Sequence, residues 1–128
     1  MTTRAEGTFE NKGWDESTVD EFDGSKLSHA KVQQAFSGDI TGDGTVGWDM
    51  FYRPDGTASF VGLYKLDWTI GDRTGTVVLQ TTGTFDGKEA AGDWLVVGAT
   101  GGLEGLSGTG EFSAPMGPSG KYHLDYDL

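Results

Sequence analysis

The sequence contains no cysteine, only three prolines and only nine cationic side chains in 128 residues. The missing thiol excludes disulfides, thiolate nucleophiles and cysteine-ligated metal. The cations, Arg4, Lys12, Lys26, Lys31, Arg53, Lys65, Arg73, Lys88 and Lys121, are scattered, and 20 carboxylates leave a net charge of −11. A surface of that sign repels both a phosphate backbone and an anionic bilayer, so neither nucleic acid nor a membrane is an expected partner. No apolar run is long enough for a membrane-spanning helix, and the first seven residues lack the apolar centre of a signal peptide. These absences predict a soluble, cytoplasmic protein.

Helix-forming runs are also scarce, and 22 glycines take their place. Turn signals recur at Asp23-Gly24, Gly42-Asp43-Gly44, Pro54-Asp55-Gly56, Gly71-Asp72, Asp86-Gly87 and Pro118-Ser119-Gly120. Between them the chain alternates apolar and polar residues with the period of a half-buried strand. The apolar phase predicts Ala5, Gly7, Phe9 and Asn11 inward on the first strand, then Ser28, Ala30, Val32, Gln34 and Phe36. Trp48, Met50 and Tyr52 follow, then Ala58, Phe60, Gly62, Tyr64, Leu66 and Trp68, and then Val77, Leu79, Thr81, Gly83 and Phe85. The sixth strand is apolar on both faces; Trp94 and Val96 are assigned inward over Leu95 and Val97. Leu106, Gly108, Gly110 and Phe112, and finally Tyr122, Leu124, Tyr126 and Leu128, complete the inner face.

Eight short strands joined by turns predict a single domain over residues 1–128, folded as an eight-stranded antiparallel β-barrel of the lipocalin-like, up-and-down kind. Closure removes exposed strand edges. An eight-stranded interior is either filled by side chains or holds one small ligand. Residues 15–26, with five carboxylates, read as a long acidic connecting loop, solvated or serving as a lid.

Chemical motifs are few. Asp39, Thr41, Asp43 and Gly44 match the opening of an EF-hand loop, but Met50 stands where its bidentate glutamate belongs, so the segment reads as a tight hairpin turn and no metal site is assigned. His29 and His123 alternate with charged neighbours and face water. The glycine-rich run from Gly98 to Gly110 lacks the Lys-Ser/Thr of a phosphate loop and reads as a sharp corner. The strand phase places no pair of acids together on the inner face, which argues against a carboxylate dyad.

The inner face is therefore aromatic and neutral. Tyr52, Tyr64 and Tyr126 are the candidate hydrogen-bonding, and if the protein is an enzyme catalytic, groups. Gln34, Trp48, Met50, Phe60, Trp68, Thr81, Trp94 and Tyr122 are the candidate ligand-binding residues. No cofactor is expected; the expected partner is a hydrophobic small molecule, with a homo-oligomer as a further possibility.

An ordered set of motifs adds to this reading. Gly7-x-Phe9, Phe36-x-Gly38-Asp39-Ile40-x-Gly42, Asp55-Gly56-Thr57-Ala58-x-Phe60-Val61-Gly62-Leu63, Gly71-x-Arg73-x-Gly75, Thr100-Gly101-x-Leu103-x-Gly105-Leu106-x-Gly108 and Tyr122-x-Leu124-Asp125-Tyr126 together resemble an uncharacterised bacterial family, a domain of unknown function with the allene-oxide-cyclase-like barrel. The resemblance implies a central cavity and, by extension from the superfamily, cyclisation or isomerisation of a hydrophobic substrate held by shape and hydrogen bonds. A non-catalytic carrier and a partner-binding barrel are the alternatives. The chain departs from the family pattern at Tyr64, Thr81 and Gly102, where many members carry glutamate, histidine and glutamate.

Overall fold

The computed structural model describes residues 2–115 and 119–128. Its elements are β1 (Thr3–Phe22), β2 (Ser25–Gly38), β3 (Ile40–Tyr52), β4 (Ala58–Ile70), β5 (Arg73–Phe85), β6 (Glu89–Gly101), β7 (Ser107–Pro115) and β8 (Ser119–Asp127). Each strand pairs antiparallel with the next, and β1 returns to β8, so eight strands close into a ring, a barrel in strand order. No helix among the described residues is long and apolar enough to cross a membrane.

Alternation dictates which face turns inward. Ala30, Val32, Val46, Leu66, Trp68, Val77, Leu79 and Leu124 are wholly buried, each flanked by more exposed neighbours. On β6, Trp94 is buried while Leu95 and Val97 are exposed. Val78 and Leu79 of β5 pair with Gly98 and Val96, so Val97 is an extra, bulged residue. The bulge reverses the phase and brings Ala99 onto the core. Leu128, expected inward, is 47% exposed because β8 ends at Asp127.

Residues 15–26 are not a loop. Asp15–Phe22 belong to β1 and pair with Ser25–Lys31 of β2 as a hairpin arm extending beyond the ring. Its turn is tight: Asp23 and Gly24 have φ of 49° and 78°, the paired positive angles of a two-residue hairpin. β8 pairs with β1 only from Thr3 to Glu10, so the rest of β1 has β2 alone as neighbour. The acids there are solvated strand side chains, and charge along such an edge discourages pairing with other chains.

The Gly42-Asp43-Gly44 turn is also relocated. The chain reverses at Gly38 and Asp39, and residues 42–44 lie within β3, paired with both β2 and β4. Asp39 is used structurally: its Oδ2 accepts a hydrogen bond from the Glu6 amide at 2.9 Å, and its own amide donates to the Glu6 carbonyl at 2.9 Å. Among the described residues no group of three His, Cys, Asp or Glu is placed to hold a metal ion. Of the expected turn Pro118-Ser119-Gly120, Pro118 lies outside the described residues, and Ser119 and Gly120 open β8.

The two ends of the ring differ. At one end the segment between β6 and β7 folds inward, held by Gly102 N–H to Thr74 O at 2.8 Å and Leu106 N–H to Leu103 O at 3.0 Å. It seats Leu103, wholly buried, and Leu106 as a plug. Tyr122 reinforces this end: its hydroxyl accepts from the Ile40 amide at 3.1 Å and lies 3.0 Å from the Ser37 carbonyl, to which it can donate. The other end, where the β1–β2 arm projects, is open.

Candidate functional site

The open end holds a cavity of about 260 Å³, enclosed mainly by aromatic and aliphatic side chains. β1 contributes Phe9, Asn11 and Trp14; β3 contributes Trp48, Met50 and Tyr52; Phe60, Phe85, Ala90 and Phe112 come from β4 to β7. The inward phase of each strand puts them there, with one exception. Lys12 is a bulge in β1, because Asn11 and Gly13 pair with the consecutive residues Gln34 and Gln33. Before it the odd residues face in; after it Trp14 and Glu16 do.

Glu16 thus lies behind the cavity's lining, bonded to two residues of it, Trp14 and Tyr52. Its Oε1 accepts from Trp14 Nε1 at 2.9 Å, and its Oε2 accepts from Ser28 Oγ at 2.5 Å and from Tyr52 OH at 2.8 Å. Desolvation pushes the Glu16 carboxyl up, but the donors Ser28, Trp14 and Tyr52, with nearby Lys26, outweigh it and hold it below its ordinary value of 4.5. Burial, then the bond to Glu16 and its negative charge, push the Tyr52 phenol up to about 12. At neutral pH the pair is a carboxylate accepting from a protonated phenol. Lys26 lies close by, its ammonium 4.8 Å from the centre of the Tyr52 ring.

A depressed carboxyl pKa stabilises the fold above the unfolded value and ceases to do so as pH falls through the folded value. Acidification through and below about pH 4.5 is therefore expected to loosen the arm before the ring opens. Tryptophan emission should shift in that window, and Glu16→Gln or Trp14→Phe should remove the shift. A shift that persists in both variants would assign it to another part of the molecule.

The remaining candidate residues occupy three levels. Tyr52, Trp48, Met50 and Phe60 border the cavity. Gln34, Tyr64, Thr81 and Trp94 are buried within the ring, and Trp68 is buried nearer the plugged end, paired with Gly42 and Gly75. Tyr122 and Tyr126 lie towards the plugged end, Tyr122 bonded to the β2–β3 reversal and Tyr126 paired with Thr3 and Gly108. The three candidate tyrosines therefore do not converge. Burial drives the Tyr64 phenol well above its ordinary pKa, with the Trp94 indole acting weakly in the opposite direction. Trp94 Nε1 itself meets no partner at hydrogen-bonding geometry, and neither do Trp48 Nε1, Trp68 Nε1, Thr81 Oγ1 or Gln34 Oε1. Gln34 does donate, through Nε2, to Asn11 Oδ1 at 2.8 Å.

Sequence reasoning missed Trp14 and Glu16. A one-residue bulge leaves no mark in composition, and the acids around Glu16 mask it. The usable signal was Trp14 itself, an aromatic entering a stretch that otherwise reads as solvated.

A family model described as "Protein of unknown function (DUF3224)" matches residues 5–126. The ring is similar to the crystal structure of a DUF3224 protein of unknown function from Shewanella oneidensis MR-1. That likeness has a TM-score of 0.79 at 21% identity and covers 100% of this chain and 98% of the other. At that identity the likeness speaks for the fold. No functionally curated protein matches the chain.

Proposed function

The chain belongs to the DUF3224 family, and from that premise we propose that its ring is a small-molecule-binding barrel of the lipocalin-like or allene-oxide-cyclase-like kind. The ligand sits at the open end. The observation that carries the reading is a concave, aromatic-lined cavity whose rim presents a few oriented polar groups, the usual composition of a small-molecule site. Its volume falls just below the range of about 300–1,000 Å³ common for such sites. The occupant is accordingly smaller than a drug-sized molecule and largely apolar.

Between holding a ligand and transforming it, the chemistry at the rim favours holding. Proton transfer near neutral pH needs a group poised near 7. Tyr52 and Glu16 are displaced in opposite directions, one up to about 12 and the other below its ordinary value. A cyclase or isomerase working in this cavity would act by conformational restraint and by hydrogen bonding from Tyr52.

Ala90 tests the site directly. It lines the cavity and is half-buried opposite Phe85 and Ala114. Ala90→Phe places a ring in the space a ligand would fill. A neutral naphthylamine dye is expected to bind the native protein saturably and to lose about tenfold or more in affinity for the variant. Equal binding to both proteins, or none to the native one, would refute the site.

A further inference from the structure

We propose that the mouth cavity takes a small organic cation, an alkyl- or arylammonium ion, received on aromatic faces with a carboxylate at their edges. The proposal rests on the mouth being the binding site, as argued above, and adds the charge of the occupant.

Two of the three aromatic walls are tied to one acid. Trp14 and Tyr52 line the cavity, and both donate to Glu16. Trp48 lies beside Trp14, with ring centres 5.7 Å apart and planes at 49°, so the two indoles are splayed rather than stacked. Aromatic faces carry negative potential, and a cation over them gains most where water is excluded. Trp48 is 6% exposed and Trp14 50%, so the set runs from a dry inner wall to a wet rim.

The protein's own cation already uses this attraction, since Lys26 is poised over Tyr52. Lys26 is also the single cation among residues 15–26, against Asp15, Glu16, Asp20, Glu21 and Asp23. It offsets part of the negative field at the mouth without cancelling it. Arg53, on the β3–β4 turn, is engaged with Thr57 and Ser59.

The choice of class follows from comparing guests. An anion meets Glu16 and a chain of net charge −11. A neutral hydrocarbon gains from the walls but nothing from the adjacent carboxylate or from the field of the chain. A cation gains from the walls, from Glu16 and from the field of the whole chain.

The test uses an isosteric pair, phenyltrimethylammonium and tert-butylbenzene, each displacing the neutral dye from the native protein. The cation is expected to displace it at a concentration lower by about tenfold or more. High salt should weaken the cation and leave the hydrocarbon unchanged. Glu16→Gln should shrink the preference, read as the ratio of the two compounds, since loosened walls would weaken both alike. Lys26→Met should enlarge it, a gain that damage to the arm would not imitate. Equal displacement by both compounds, with the dye bound, would overturn the cation while leaving the cavity as the binding site. A preference that neither variant changes would place the cation elsewhere and overturn the proposal too. Failure of the dye to bind, or equal binding by Ala90→Phe, would instead refute the cavity reading on which it rests.

Discussion

Trp94→Ala is expected to cost about 3–5 kcal/mol of folding stability, measured by chemical denaturation. That is a large share of the roughly 5–15 kcal/mol available to a domain. Trp94 is the hub of the interior: Phe36, Tyr64, Trp68, Phe112 and Tyr122 lie around it with ring centres 5.6 to 6.1 Å away. These residues come from β2, β4, β7 and β8, so truncation opens a void that no single strand can move to fill. The indole N–H contributes nothing to this cost, because it has no hydrogen-bond partner. Trp94→Phe keeps much of the ring and drops the unpartnered donor, so it should cost no more than about 1.5 kcal/mol. A similar cost for both variants would mean that the N–H, rather than the packing, matters.

Gly7→Ala should be comparably damaging, with an expected loss of about 3 kcal/mol or more. A Cβ there would lie 2.0 Å from the Ser37 carbonyl oxygen and 2.5 Å from the Tyr122 hydroxyl. Relief requires β1 to move off β2 and Tyr122 to leave its bonds at the β2–β3 reversal, so one methyl group strains two seams. Gly47→Ala is the control. Its Cβ would meet only the exposed ring of His29, at 3.4 Å, and stability should stay within about 1 kcal/mol of the native value. Equal tolerance at both positions would remove close approach as the reason for glycine at position 7.

The contrast between these positions explains how much could be read beforehand. Where alternation is strict, as along Ser28–Gln34 or Tyr64–Trp68, the side chains declare their face, and the structure agrees residue by residue. Trp94 and Val96 were assignable because tryptophan is costly to leave in water. The arm was misread because Asp15, Asp20 and Glu21 supply the composition of a loop while their backbone is paired; composition records solvent exposure, and here exposure belongs to a strand edge. Leu103 escaped for the opposite reason, being a buried plug set among glycines that signal a surface turn. The site suffered most. Tyr52, Trp48, Met50 and Phe60 were legible as inner residues, but the separation of Tyr52 from Tyr64 and Tyr126 depends on height within the ring, which a period of two does not encode.

The way the ring shuts also has a kinetic meaning. Every seam but one joins strands adjacent in sequence and can zip from its own turn. The last, Thr3–Glu10 against Ser119–Tyr126, joins opposite ends of the chain. Its entropic cost of encounter grows with the span between partners, so it is the step expected to come last, after the local seams have formed. Until it forms, the aromatic interior stands open along one side, and the edges of β1 and β8 are free to find each other or a neighbouring molecule.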